Sequence, residues 1–251
     1  MRILLTVAYR GTHYAGWQWQ ENGPSIQQEL ETALEKALGH FVRVTGASRT
    51  DAGVHALCQR AQFDTDARIP PERYPCVLNR FLPPDIRVTH GQQVEDDFHA
   101  RFMADRKIYT YRIYNAPVAS ALHYDTTAHV PVRLDEKKMH EAVQCIVGTH
   151  DFAAFVASGG SQKTTVRTIY SARVERDGAL ITFTVCGNAF LYNMVRIIAG
   201  TLIYIGQGKL PPECLLQALE SGSRLDLGIT APAHGLELTH VGYQEQYRIL
   251  P

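Results

Sequence analysis

The stretch Gly46-Ala-Ser-Arg-Thr-Asp-Ala-Gly-Val-His-Ala56 carries the most chemical information in the chain. It follows the apolar run 41–44, which predicts that it begins where a strand leaves a sheet. Asp51 stands between Thr50 and two small residues, Ala52 and Gly53. Small residues let a bulky ligand approach the backbone closely, and Gly53 permits a sharp turn after the acid. If this carboxylate is buried it needs a cationic partner, because an isolated charge is costly to desolvate. The alternative is an Asx-turn, in which the carboxylate only accepts hydrogen bonds from nearby backbone amides.

The composition is that of an ordinary soluble globular protein. The chain has 251 residues, of which 45% are hydrophobic and 20% charged, enough for one large domain or two closely packed smaller ones. The formal net charge is zero, with 25 basic and 25 acidic residues. Any RNA-binding surface must therefore come from local segregation of charge. This argues against a protein that coats RNA, but not against an enzyme with one positive cleft.

No metal site, cofactor site or disulfide framework is predicted. The five cysteines are odd in number and scattered, without a CxxC pair or a Cys/His cluster. The N-terminal sequence MRILLTVAYRG has too short an apolar run for a signal peptide or a membrane span, and it is typical of a first strand. We therefore expect a cytoplasmic protein without a membrane segment.

Hydrophobic periodicity predicts an alternation of strands and amphipathic helices. The clearest helix begins after Ser25, an N-cap residue, and ends at Gly39, which suits the position after a helix. Strands are predicted over 3–9, 61–63, 86–92, 108–114, 165–175, 179–185 and 235–243. Further helical segments are predicted over 70–81, after Asp135, within 188–206 and over 211–221, and a loop over 150–160.

Two further stretches are rich in aromatic residues. Residues 9–20 combine Tyr, Trp and Gln with glycines, so their rings either fill a corner of the core, the commoner use, or stack on nucleotides. In 106–114, Tyr109, Tyr111 and Ile113 lie on one face of the predicted strand. Basic residues interleave with these rings, which suits a nucleic-acid groove, although tyrosine also simply favours strands.

The predicted helix within 188–206 contains Arg196 beside an apolar stripe. An arginine in such surroundings needs an acidic partner if it is buried. The alternative is that its aliphatic stem packs on the stripe while the guanidinium extends into solvent.

Together with Phe98-His-Ala-Arg-Phe102, these stretches resemble the sequence blocks of the TruA family of tRNA pseudouridine synthases. The blocks occur in the family's order over nearly the whole chain. Ser48 stands where glycine is often found, and Tyr192-Asn193 replaces a pair of histidines that some relatives have. Neither departure falls on the acid, the tyrosine or the arginine that match the family's catalytic residues.

The resemblance implies a role for each of these three residues. Asp51 corresponds to the catalytic nucleophile, Tyr109 to the tyrosine that contacts the target base, and Arg196 to the arginine that pairs with the acid. The implied reaction needs neither metal nor cofactor. The residues predicted to bind substrate are Arg49, Arg101, Tyr109 and Leu238.

The implied fold is α+β, with two α+β halves sharing a mainly antiparallel sheet, helices packed on it and a central cleft. Residues 1–104 form the half with the Asp51 loop, and 105–251 the half with Tyr109 and Arg196. The implied activity is isomerisation of uridine to pseudouridine at positions 38, 39 and 40 in the anticodon arm of tRNA. Family members act as homodimers, so a homodimer is expected.

Three alternatives stay open from the sequence. One is an RNA-binding module without catalytic activity, and another is a pseudouridine synthase that acts on a different RNA. The third is an acid-dependent hydrolase in which Asp51 forms a carboxylate pair with Asp64 or Asp66. These two acids follow a predicted strand in a polar run and look like solvated turn residues.

Overall fold

The computed structural model of the chain describes residues 1–157 and 164–244, so the end of the predicted 150–160 loop lies outside it. The architecture is α+β with mainly antiparallel strands, as predicted. In chain order the elements are β1 (Arg2–Tyr9), α1 (Ile26–Leu38), β2 (Thr45–Gly46), β3 (His55–Asp64), α2 (Tyr74–Leu78), β4 (Ile86–Val94), β5 (Arg106–Tyr114), β6 (Ala128–His129), α3 (Glu136–Val143), β7 (Gly148–Asp151), β8 (Val166–Asp177), β9 (Leu180–Gly187), α4 (Met194–Gly206), α5 (Cys214–Ser221) and β10 (Leu236–Gly242).

The chain divides into two compact units. The first comprises Met1–Asp105 together with the chain from Glu237, and the second comprises Arg106–Leu236. The predicted halves differ from these units in the place of the closing strand. β10 belongs to the first unit because it pairs in parallel with β3, where Leu238 lies opposite Ala56. Periodicity predicts a strand but not its partner.

In the first unit the strands follow the order β4-β1-β3-β10, and β2 adds to β3. β1 is antiparallel to both of its neighbours. Helix α1 begins and ends as predicted, since the Ser25 hydroxyl accepts a hydrogen bond from the Gln28 amide and Gly39 adopts a left-handed conformation with φ of 79°. Helix α2 packs on β3 through an edge-to-face contact between Tyr74 and Phe63, whose ring centroids are 5.3 Å apart.

In the second unit the strands follow the order β5-β9-β8-β7, and β6 is parallel to β5. The sequence predicts a hairpin that turns at Asp177-Gly178. β8 and β9 do form this hairpin, but it turns one residue later, at Gly178-Ala179, because Asp177 still pairs with Leu180. Arg176 ties this hairpin to α3, because its guanidinium donates to Glu136 at 2.8 Å and to the Leu134 carbonyl at 2.9 Å. Where α3 meets α4, a Cβ on Gly206 would lie 2.8 Å from the sulfur of Met139.

Three of the predicted assignments need correction. β3 begins at His55 rather than near 61, because buried polar residues such as Gln59 hide the strand from a hydrophobicity pattern. The run 41–44 is not a strand, and only Thr45–Gly46 pairs with β3. The first two residues of the predicted loop 150–160 belong instead to a strand, Gly148–Asp151. Within 1–157 and 164–244, no helix is long and apolar enough to cross a membrane.

Candidate active site

The loop that carries Asp51 is fixed immediately before the acid by buried side chains. The amide of Gln59, whose side chain has no exposed surface, donates to the Ser48 carbonyl at 2.6 Å and accepts from the Ser48 amide at 3.1 Å. The Tyr9 hydroxyl lies 2.7 Å from the hydroxyl of Thr50. Ser48 and Thr50 therefore have defined positions, and the half-buried Asp51 directly follows Thr50.

The loop is fixed after the acid as well. The carbonyl of Asp51 accepts a hydrogen bond from the Val54 amide at 3.1 Å, which closes a tight turn. Gly53 makes this turn possible with φ of 78°, as the sequence predicts. His55 is buried, and its Nδ1 accepts from the Gly11 amide at 3.0 Å. This bond assigns the proton of the neutral imidazole to Nε2, so His55 supports the loop.

The aromatic segment 9–20 covers the same loop. The Trp17 amide donates to the Thr50 carbonyl at 3.0 Å. Gly16 has φ of 107°, and a Cβ there would lie 2.6 Å from that carbonyl, so no larger residue fits. Tyr9 and Trp17 are buried with their ring centroids 6.1 Å apart. The core-packing alternative is therefore correct for these two rings, whereas Trp19 is 45% exposed.

In the second unit the inward face of β5 carries the predicted tyrosines. Tyr109 and Tyr111 are both buried, as the period-two pattern predicts. The ring of Phe190 meets Tyr109 edge to face, with centroids 5.2 Å apart. Tyr111 donates its hydroxyl to the Pro232 carbonyl at 2.9 Å. Burial raises the pKa of Tyr111, and the charge of Arg196 opposes this rise, so Arg196 lies near this face of β5.

Arg196 is held by two acceptors in its own unit. Its Nε donates to the Ala231 carbonyl at 2.8 Å, and an Nη donates to the Asn193 side chain at 2.7 Å. The snorkelling alternative does not hold, because protein acceptors bind the guanidinium on two sides. Asn193 has φ of 59° and is the one non-glycine residue in the described ranges with a positive φ.

The predicted substrate-binding residues of the first unit occupy three different positions. Arg49 and Arg101 are both exposed. Partial burial and the positive charge of Arg49 lower the pKa of Arg101, so the two guanidinium groups are near each other. Leu238 is fully buried in β10, where it lies opposite Ala56. It therefore packs beside the strand that leaves the Asp51 loop.

Sequence reasoning missed two residues that shape this site. Gln59 gives no signal, because a polar residue in a strand is normally assigned to a solvated face. Asn193 was visible only as a departure from the histidine pair of some relatives. Its role depends on a left-handed backbone and a side-chain acceptor, and asparagine tolerates that conformation better than most residues.

The geometry bears on metal binding and on the hydrolase alternative. Among residues 1–157 and 164–244, no group of His, Cys, Asp and Glu could hold a metal ion. Asp64 forms an ion pair with Arg2 at 2.7 Å. Asp64 is the last residue of β3, whereas Asp51 lies before its first residue. A strand of ten residues that rises about 3.3 Å per residue is roughly 30 Å long, and this length separates the two carboxylates. Paired glycosidase carboxylates lie within about 10 Å, so Asp51 and Asp64 do not form such a pair.

Comparison with known proteins identifies the family. The sequence model of a family described as tRNA pseudouridine synthase matches residues 5–103 and 142–244. The chain belongs to this family. The tRNA pseudouridine synthase A of Acetivibrio thermocellus is 47% identical over 241 residues, which cover 96% of this chain and 99% of that protein. The proteins of the same name from a Thermoanaerobacter species and an Exiguobacterium species are 44% and 45% identical, over 96% and 97% of this chain and 99% and 98% of theirs.

The two matched ranges of the family contain two of the three predicted catalytic residues. Asp51 lies in the first range and Arg196 in the second, whereas Tyr109 lies in the segment between them. As a tRNA pseudouridine synthase by family, the chain is an isomerase, in agreement with the resemblance of its sequence blocks.

Proposed function

We propose that this enzyme isomerises uridine to pseudouridine at positions 38, 39 and 40 in the anticodon arm of tRNA, with Asp51 as the nucleophile. The observation that carries the proposal is the fixation of the Asp51 loop. Gln59 and Tyr9 hold the residues before the acid, and the Val54 amide closes the turn after it. A carboxylate on such a support is preorganised for attack, because little ordering remains to be done in the transition state.

The reaction exchanges one bond of the ribose for another. The bond from C1′ to N1 of uracil breaks, the base rotates while it is held, and a bond forms between C1′ and C5. C5 loses its proton to solvent and N1 gains one, so the product is an isomer of the substrate. Three routes use the same ionised carboxylate: attack on C1′, attack on C6, and assistance to a glycal intermediate. All three require that Asp51 is charged when the uridine arrives.

The other two residues serve the acid and the base. Arg196 supplies the positive charge that favours the ionised form of Asp51, and its orientation is set by Asn193 and Ala231. Tyr109 stacks on the uracil after the base has left its helical stack, a step that costs roughly a few kcal/mol. Arg49 and Arg101 offset this cost by binding phosphates.

The enzyme is proposed to act as a cytoplasmic homodimer on tRNA. A chain with no net charge benefits from a second copy, because two copies of one basic surface act on the same RNA. Sedimentation of the free protein and of its complex with tRNA measures the stoichiometry directly.

Release of tritium from tRNA transcripts labelled at C5 of uridine tests the reaction. The wild type is expected to release label from the anticodon arm, and Asp51→Asn is expected to bind the same tRNA but lose at least about a thousandfold in turnover. Asp64→Asn is the matched control, because it removes an equal charge from the far end of β3 and breaks only the pair with Arg2.

Four outcomes would contradict parts of the proposal. Substantial release by a clean Asp51→Asn preparation would remove the nucleophile assignment. Tight binding without release by the wild type would favour an RNA-binding module, and release mapped to another RNA would change the substrate. The effect of Arg196→Ala on turnover is measured in the wild type and in the Asp51→Asn variant. If the loss of turnover is the same in both backgrounds, the two residues do not act as one unit.

A further inference from the structure

An exposed aromatic ring stands beside Arg101, one of the two arginines that the sequence predicts to bind substrate. Phe102 is 75% exposed, and it ends the stretch Phe98-His-Ala-Arg-Phe102. A single exposed apolar side chain is common on protein surfaces and needs no explanation. What distinguishes Phe102 is the turn that carries it.

The turn from His99 to Met103 is closed by hydrogen bonds of its own. The Met103 amide donates to the His99 carbonyl at 3.0 Å. The Nδ1 of His99 accepts from the amides of Arg101 and Phe102 at 3.2 and 3.4 Å. The imidazole therefore caps the turn, and the backbone of Phe102 has a defined position before any ligand binds.

The turn is anchored to the core of the unit by Ala100 rather than by Phe102. The Ala100 amide donates to the Gln62 side chain, and its carbonyl accepts from the Tyr243 hydroxyl at 2.7 Å. Phe98 is fully buried against the ring of Tyr243, with centroids 5.2 Å apart. Since these contacts hold the turn, the fold does not require an aromatic ring at position 102.

The surroundings of the ring match the chemistry of a nucleotide. The ring of Phe102 lies against that of His99, with centroids 4.2 Å apart, and the guanidinium of Arg101 is 5.8 Å from its centre. The charges of Asp96 and Asp97, which precede the turn, raise the pKa of Arg2, so these acids lie on the side of Arg2. An exposed ring beside Arg101, with Arg49 near that arginine, offers stacking to a base and charge to its phosphates.

We propose that Phe102 is a stacking surface for an unpaired nucleotide of the RNA substrate, whose adjacent phosphates bind Arg49 and Arg101. The inference rests on the proposed function, because it takes RNA to be the ligand of this unit. It adds a binding residue that is separate from the acid and from the stacking tyrosine. Stacking tolerates any base, so Phe102 contributes affinity for a loop without reading its sequence.

Equilibrium binding of a stem-loop RNA with the anticodon-arm sequence tests this surface. Phe102→Leu is expected to raise Kd about tenfold, because it keeps an apolar side chain but removes the π-face, and Phe102→Trp is expected to keep Kd near the wild-type value. Phe41→Leu is the matched control, since Phe41 is also exposed and has the guanidinium of Arg43 5.1 Å from its ring centre.

Contact is tested separately by photocrosslinking RNA that carries 5-iodouridine at single loop positions. At least one position is expected to label the tryptic peptide Phe102-Met-Ala-Asp-Arg106 of the wild type. Labelling of other peptides only, or equal Kd values for wild type, Phe102→Leu and Phe41→Leu, would overturn the inference.

Tritium release distinguishes this failure from failure of the proposed function. If the wild type releases tritium and Phe102→Leu matches it in both Kd and rate, the inference alone is wrong. At RNA concentrations below Kd the Leu variant is expected to release tritium about tenfold more slowly than the wild type, because the ring contributes affinity for the RNA. If Phe102→Leu keeps the wild-type Kd but the protein changes its molecular mass in solution, the ring is a contact between protein chains and the inference is wrong. A wild type that binds no RNA would remove both proposals.

Discussion

Arg196 and Ala231 are hydrogen-bonded to each other in both directions. The guanidinium of Arg196 donates to the Ala231 carbonyl at 2.8 Å, and the Ala231 amide donates to the Arg196 carbonyl at 3.0 Å. One turn further along α4, a Cβ on Gly200 would lie only 1.9 Å from the Ile229 carbonyl. The segment 229–231 therefore lies directly on the helix backbone, and the position of the arginine depends on that close approach.

Gly200→Ala is expected to lower the free energy of unfolding by about 3 kcal/mol, because the new methyl group forces backbone apart in a packed interior. Turnover is expected to fall with it, since the Ala231 carbonyl moves away from Arg196. Denaturant unfolding and tritium release measure the two effects. Gly23→Ala is the control, because its Cβ meets only the Ala15 methyl group at 3.3 Å, and an equal loss there would contradict the argument.

Asn193 supplies a left-handed backbone and an acceptor for Arg196, and two substitutions separate these contributions. Asn193→Gly is expected to keep the unfolding midpoint near the wild-type value, because glycine adopts this conformation freely. It is expected to slow turnover about tenfold, since a hydrogen bond to a charged group is lost. Asn193→Ala is expected to lose stability as well. Normal turnover by the glycine variant would show that the side chain does not position Arg196.

The hydroxyl of Tyr9 is expected to matter for catalysis beyond its effect on stability. Tyr9→Phe leaves the Thr50 hydroxyl without this bond, just before Asp51, and is expected to lower both stability, by about 1 kcal/mol, and turnover. Tyr14→Phe removes a hydroxyl that donates to Asp85 at 2.7 Å. It is expected to lose similar stability but keep its turnover. Equal turnover for the two variants would contradict a loop-fixing role of Tyr9.

The five free thiols are expected to differ in reactivity with pH. Burial raises the pKa of Cys145 and of Cys214 to about 11, and the thiolate is the reactive form. At pH 8 only about one part in a thousand of each thiol is ionised. As the pH is raised toward the pKa, the thiolate fraction increases about tenfold for each pH unit. Alkylation followed by peptide mapping should therefore modify the exposed Cys76 first. Early labelling of Cys145 or Cys214 at pH 8 would contradict their burial.

The local parts of the fold could be predicted because their causes are local. Ser25 and Gly39 bound α1 through hydrogen bonding and backbone conformation that those residue types favour. Gly53 predicted a sharp turn after Asp51, and the turn has the expected positive φ. The period-two pattern of β5 identified the face that buries Tyr109.

The parts that could not be predicted depend on contacts between distant residues. The first half of β3 contains buried polar side chains, and Gln59 is satisfied by Ser48 rather than by solvent. A hydrophobicity pattern cannot show that a polar side chain forms its hydrogen bonds with protein atoms instead of water. The acceptors of Arg196 include a carbonyl 35 residues away, at Ala231, whose position depends on the absence of a side chain at Gly200.

The pairing of β10 with β3 has a consequence for synthesis on the ribosome. The strand that leaves the Asp51 loop receives its parallel neighbour only after all of Arg106–Leu236 has been made. Until then the N-terminal unit has an open strand edge, which is a site for mispairing with other chains. Its folding is therefore expected to finish only after β10 has been translated, which links synthesis of that strand to the appearance of an ordered catalytic loop.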